Sequence, residues 1–213
     1  MLEHQHKIPV PPKRTLVLGA GGFVGKTTVE HLRRHNYNVL GLARTELDLL
    51  ASDASRKLER LLESDDSLVI AAAKAPCKNP AMLLENIRML HTVVEALAAK
   101  KPAHVIYISS DAVYGDSMAP LNESSPAAPE SLHGAMHLAR ELMLKAVVGD
   151  RLAILRPTLL YGLADPHSGY GPNQFRRLAE RLVEGQLLEH RHHAAHRVEH
   201  AAAGQPVDDA ARR

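Results

Sequence analysis

Between residues 15 and 155, short apolar runs alternate with longer amphipathic stretches, and no other feature restricts the fold as much. The runs at 15–18, 37–43, 68–73, 103–108 and 152–155 read as strands, the last one stopped by Arg156-Pro157. The stretches between them carry helical spacing. One follows the first strand to about His35, with Val24, Thr28 and Leu32 on one face. Residues 52–63 turn Leu58, Leu61 and Leu62 inward, 80–100 carries the stripe Leu83, Ile87, Leu90, Val94 and Leu97, and 131–148 is a fourth helix. Steps of three and four put such residues on one side of a helix. Short strands that are apolar throughout are buried on both faces. A parallel sheet covered by helices on both sides satisfies them, and right-handed crossovers make it doubly wound. The expected fold is α/β, a Rossmann-like doubly wound parallel sheet.

The first strand runs into Gly19-Ala-Gly-Gly22-Phe-Val-Gly25 and then a helix. In a strand–turn–helix of this kind, the first glycine (Gly19) permits the tight turn. The second (Gly22) lets the backbone approach a pyrophosphate, and the third (Gly25) lets helix and strand pack closely, with the helix N-terminus facing the phosphates. Phe23 and Val24 complete the candidate cofactor-binding loop. The same segment also fits a loose P-loop ending in Gly25-Lys26-Thr27, with Lys26 for the phosphates and Thr27 for Mg²⁺. Against that stand the apolar Phe23 and Val24 and the lack of an acidic residue cleanly ending a later strand. At the end of the second strand, an acid would bind a ribose 2′-hydroxyl, but the positions are Ala43 and Arg44. Arg44 suits a 2′-phosphate, so NADP(H) is expected over NAD(H).

Composition narrows the function classes. Lys plus Arg number 26 against 24 Asp plus Glu, a net charge of +2, which is no electrostatic footprint for nucleic acid. Aromatics are 3%, with no Trp to stack bases. The single cysteine, Cys77, excludes an intramolecular disulfide and a cysteine metal cage. No apolar run approaches the roughly 20 residues of a membrane span, and the start is not that of a signal peptide. The expectation is a cytoplasmic protein without nucleic-acid or membrane partners.

Several segments together resemble the extended short-chain dehydrogenase/reductase family, the NAD(P)-dependent sugar epimerases, dehydratases and reductases. They are the glycine loop, Ala71-Ala72-Ala73, Asn86, Ile108-Ser-Ser-Asp-Ala-Val-Tyr-Gly115, the stretch 120–123, Arg156-Pro-Thr-Leu-Leu-Tyr-Gly162 and Tyr170-Gly-Pro-Asn173. The likeness covers about residues 14–180. Arg44-Thr-Glu-Leu-Asp-Leu49 is similar to the same stretch of NADPH-using nucleotide-sugar reductases, which implies that Asp48 sits near the adenine. The resemblance implies hydride transfer at a sugar carbon of a nucleotide-sugar. It assigns the substrate oxygen to Ser110, the cofactor to Ala71, Ala72 and Ala73 besides the glycine loop, and a homodimer to helices 80–100 and 131–148.

One departure stands at the family's Tyr-Gly-x-x-Lys pattern. Here the stretch is His133-Gly-Ala-Met-His137-Leu-Ala-Arg-Glu141, with His133 in the tyrosine place and His137 in the lysine place. Positions i and i+4 share a helix face, so both still point one way. An imidazole titrates near pH 6.5, so His133 can exchange a proton at neutral pH. His137 can hydrogen-bond a ribose but brings no permanent charge. Two readings stay open: a modified acid/base pair that retains turnover, and a catalytically silent NADP(H)-binding module. A P-loop nucleotidase is third. Tyr114, Tyr161 and Tyr170 are further phenols in the resembling segments.

The expected organisation is a tail at 1–13, a dinucleotide-binding domain with the start of a substrate region at 14–185, and an irregular tail at 186–213. That last segment holds five His, seven Ala and four Arg. The family continues past Asn173, so the segment is expected to be a frame-shifted or truncated end of a longer gene. His192, His196 and His200 share helical spacing but lack acidic or Cys partners, so no metal site is expected.

Overall fold

The computed structural model describes residues 10–115, 120–162, 165 and 173–183. Five parallel strands form one sheet: β1 (Arg14–Leu18), β2 (Val39–Leu42), β3 (Asp66–Ile70), β4 (His104–Ile108) and β5 (Leu152–Leu155), in the order β2-β1-β3-β4-β5. Four α-helices connect them: α1 (Phe23–Arg34), α2 (Ala54–Leu61), α3 (Pro80–Ala99) and α4 (Leu132–Val148). The chain divides into two compact units, Met1–Thr158 and Leu159–Arg213, and the sheet lies wholly in the first.

The strands are apolar on both faces because both are covered. On one face Leu16, Leu18, Leu68, Ile70, Val105 and Tyr107 pack against Leu58 of α2, Leu90, Val93 and Leu97 of α3, and Leu144 of α4. On the other, Val17 and Val69 meet Val29 of α1. Burying one such aliphatic side chain contributes about 1.5–3 kcal/mol. The buried line of α3 is Asn86, Leu90, Val93, Ala96 and Leu97. The expected stripe is therefore rotated: Leu83, Ile87 and Val94 are only half-buried.

Polar side chains fix the ends of these elements. Asn79 caps α3, its Oδ1 accepting from Met82 N at 2.9 Å, and Pro80 needs no donor partner at N1. Ser131 caps α4 through Gly134 N. At the far end of the sheet Asp66 is fully buried, yet it begins β3. Arg14 makes this tolerable with a two-pronged bond, Nε to Oδ1 at 2.8 Å and Nη2 to Oδ2 at 2.7 Å.

In the second unit, the described residues 173–183 are helical, and the buried Asn173 Nδ2 donates to Asp165 Oδ2 at 2.8 Å. Residues 186–213, with His192, His196 and His200, lie outside the described residues, as do Tyr170 and most of the 1–13 segment.

Candidate functional site

The chain leaves β1 toward β2 on one side and toward β3 on the other. A crevice opens where these directions part, at the carboxyl ends of the strands, the usual ligand position of such sheets. It is a cavity of about 420 Å³ bounded by the glycine loop, the segment after β2 and Ala71, Ala72 and Ala73. Gly19 forms its floor, with φ +87°. A Cβ there would lie 2.7 Å from Ala72 N, so only glycine lets the loop close against the end of β3. Gly25 in turn packs its Cα against the Gly19 carbonyl. Gly22 is the N-cap residue of α1 and carries no capping side chain. The first turn of that helix thus keeps N–H groups and partial positive charge for an anion.

Of the expected cofactor residues, Gly19, Gly22, Arg44, Asp48, Ala71, Ala72 and Ala73 line this cavity. Phe23, Val24 and Gly25 form the first turn of α1 behind it. Arg44 is an exposed rim residue whose Nε reaches Asp48 Oδ2 at 3.2 Å. The Asp48 carboxyl lies below its usual range, chiefly because it accepts from Leu50 N and then because of Arg44. Lys26 and Thr27, the P-loop candidates, are outside the cavity lining and exposed. Lys26 pairs with Glu30, and the Thr27 hydroxyl donates to Phe23 O at 2.8 Å.

A second cluster gathers where α4 meets the end of β4. Gly134 makes this possible: a Cβ there would sit 1.9 Å from Ala112 O, so the helix seats directly on the turn at Asp111–Val113. Ser110 caps that turn, its Oγ accepting from Ala112 N and donating to Asp111 Oδ1 at 3.1 Å. His133 is half-buried, and its Nδ1 lies 3.4 Å from Cys77 N. Burial pushes its pKa down, with Asp111 opposing. The His133 and His137 rings meet edge to face at 4.7 Å.

His137 is 5% exposed, and its Nδ1 is 2.8 Å from the Tyr107 hydroxyl. Burial first, then His133 and Arg140, lower its pKa to about 3. Burial raises the Tyr107 phenol to about 12. Both groups are therefore neutral near pH 7.

Beneath them lies a charged network. Glu141, fully buried, accepts from Ser109 Oγ at 2.6 Å and from Arg156 Nε and Nη2 at 2.9 and 2.6 Å. Arg156 Nη1 donates to the Tyr114 hydroxyl at 2.7 Å, so Tyr114 is held by a cation. Sequence reading missed Tyr107, Arg140 and the Glu141–Arg156 pair. Helical spacing offered a cue for Arg140 and Glu141, which follow His137 by three and four positions.

A model of the NAD dependent epimerase/dehydratase family matches residues 15–203. The chain is 31% identical over 183 residues to dTDP-6-deoxy-L-talose 4-dehydrogenase (NAD(P)(+)) of Kitasatospora kifunensis, covering 75% of this chain and 57% of that one. It is 28% identical over 171 residues to methionine adenosyltransferase 2 subunit beta of Xenopus tropicalis, covering 74% and 50%. A dTDP-4-dehydrorhamnose reductase from Clostridium acetobutylicum shares the fold, with a TM-score of 0.63 at 22% identity over 73% of this chain and 56% of the other. The chain spans about half the length of the curated relatives it matches. Among the described residues, no helix is long and apolar enough to cross a membrane.

Proposed function

This chain belongs to the NAD dependent epimerase/dehydratase family, and we propose that it binds a nicotinamide dinucleotide, NADP(H) in preference to NAD(H), in the cytoplasm and acts on a nucleotide-sugar. The observation that carries this reading is the cradle at Gly19: no side chain fits there, and the uncapped start of α1 borders it. These features fit a pyrophosphate. Gly19, Gly22 and Gly25 shape its seat, with Phe23 and Val24 behind, while Ala71, Ala72 and Ala73 wall the nicotinamide side. Arg44 turns from Asp48 to a 2′-phosphate, and Asp48 borders the adenine. When bound, the nicotinamide would supply or accept hydride at a sugar carbon.

The chain's own residues then orient the substrate and move its proton. Ser110 faces the substrate oxygen, its hydroxyl already aligned by Ala112 N and Asp111. His133 is neutral by burial, so it acts more readily as base than as acid, and Asp111 steadies the imidazolium that forms. His137 meets the ribose through Nε2, since Nδ1 serves Tyr107. Two copies pair through α3 and α4, where Leu84 and Leu142 are exposed.

The test is a titration with NADPH, NADH and ATP–Mg²⁺, read by thermal shift and nicotinamide fluorescence. Tighter binding of NADPH than NADH is expected. Binding of neither sinks the reading, and binding of ATP–Mg²⁺ alone favours a P-loop.

A second reading, a silent NADP(H)-binding module, draws on the buried, neutral His137, which cannot supply a lysine's charge. A relative named as a subunit of another enzyme accords with it. Turnover of dTDP- and UDP-sugars at saturating NADPH decides: product formation favours the enzyme, and binding without product favours the module.

A further inference from the structure

Among the described residues, Arg140 carries a charge that no carboxylate pairs with. Its side chain is 1% exposed, deep in the interior. Nη2 donates to Ala72 O at 2.7 Å, Nη1 lies 3.8 Å from Met136 Sδ, and the guanidinium packs 5.1 Å from the centre of the Tyr107 ring. Nε is buried without a hydrogen-bond partner. Among the described residues, no carboxylate is ion-paired to it. Glu141, its neighbour in sequence, has both oxygens engaged by Arg156 and Ser109. Its other neighbours, Tyr107 and His137, are neutral. Burial lowers the guanidinium's pKa, yet arginine does not deprotonate in proteins.

An isolated buried cation is costly, and proteins seldom keep one without an anion nearby. The distance from that charge to the cavity is short. Ala72 O takes the guanidinium on one side, and the Ala72 backbone presses on Gly19 from the other, with 2.7 Å between Ala72 N and the place of a Gly19 Cβ. The charge therefore sits directly behind the cavity wall that faces the glycine loop.

We propose that Arg140 is the fixed cation of this site, a positioning residue whose charge, carried to the wall through Ala72, is matched by the pyrophosphate of the bound dinucleotide. It supplies from α4 the permanent charge that neither His133 nor His137 provides. The inference rests on the dinucleotide reading above. It predicts a partner for Arg140 that arrives with the ligand, so the free protein carries the cost of the bare charge and the bound protein does not.

The experiment uses the full chain and the variants Arg140→Gln, Arg140→Met, Arg140→Lys and Arg44→Ala. Affinities for NADPH and NADH are read by nicotinamide fluorescence, and the melting temperature of the free protein by circular dichroism. Arg140→Gln keeps a donor for Ala72 O and drops the charge. Removing a charge that acts through the cavity wall and is partly screened makes a loss of about tenfold the expected result, equal for NADPH and NADH. The free protein melts no lower than wild type. Arg140→Lys retains affinity to within about threefold, since charge persists without the fork geometry. Arg44→Ala weakens NADPH alone, which separates a 2′-phosphate contact from a charge effect felt at the pyrophosphate.

Wild-type affinity for both dinucleotides in Arg140→Gln overturns the proposal. So does a loss confined to NADPH, or a fall in the free protein's melting temperature in all three Arg140 variants, which marks a packing role. If Arg140→Met does not fold, the contrast of Gln with Lys still decides between charge and packing. A wild-type chain that binds neither dinucleotide removes the cofactor reading first and this proposal with it.

Discussion

At the scale of single residues, His137 makes acid sensitivity a direct readout of burial. Its folded pKa is about 3, against an ordinary 6.5. Above pH 6.5 the imidazole is neutral folded or unfolded and contributes no pH dependence. Between 6.5 and 3 the unfolded chain takes up a proton that the folded chain refuses, so stability falls as pH falls. The slope from this one group approaches about 1.4 kcal/mol per pH unit. His133, also lowered by burial, adds in the same direction. Urea unfolding at pH 7.5 and 5.0 checks this. His137→Gln, which keeps an amide for Tyr107, loses less stability on acidification than wild type, and equal losses would refute the assignment. Arg44 offers a second residue-scale prediction. Because it is exposed and, among the described residues, pairs with Asp48 across a solvent-exposed rim, Arg44→Ala leaves stability within about 0.5 kcal/mol. A melting-temperature drop of more than a few degrees would show that it does more than line the rim.

At the scale of elements, two contacts set what the sheet and α4 tolerate. Gly134 seats α4 on the Asp111–Val113 turn, so Gly134→Ala pushes the two apart and costs about 1–3 kcal/mol of overpacking. Chemical-shift mapping should place the disturbance at both Ser110 and His133; a change confined to position 134 itself would contradict the seating. Arg14 and Asp66 staple the starts of β1 and β3. Arg14→Met strands a buried carboxylate and costs about 3–5 kcal/mol, most of which Arg14→Met with Asp66→Leu restores. Denaturant titrations that show the double variant no better than the single would disprove this. The strands and helices were legible because apolar runs and helical spacing report burial. Their ends were less so. Expected as 37–43, β2 is only Val39–Leu42, since Asn36 turns with φ 61° and Tyr37 stays exposed. β3 begins at Asp66, which reads as a loop residue until Arg14, 52 positions away, neutralises it. The same blindness hid Arg140. An arginine on a helix reads as solvent-facing, and only the packed structure shows it buried against Ala72. The tight turn at Gly19 and the close packing at Gly25, by contrast, were readable, because that geometry is local.

At the scale of the whole molecule, the exposed Leu84 and Leu142 on α3 and α4 give the proposed pairing a test. The wild-type chain should run at dimer mass in light scattering, and Leu84→Glu with Leu142→Glu at monomer mass with an unchanged circular dichroism spectrum. A monomeric wild type would discard the interface. The strand order β2-β1-β3-β4-β5 also sets a schedule for a chain leaving the ribosome. β2 emerges to find β1 waiting. β3 takes the free edge of β1, β4 takes the edge of β3, and β5 that of β4. Among the described strands, each one after β1 emerges beside an edge that is already synthesised. Parallel sheets fold slowly, and their unpaired edges invite wrong partners. Here each edge is offered to the next segment in line, so these five strands can pair in the order in which they are translated.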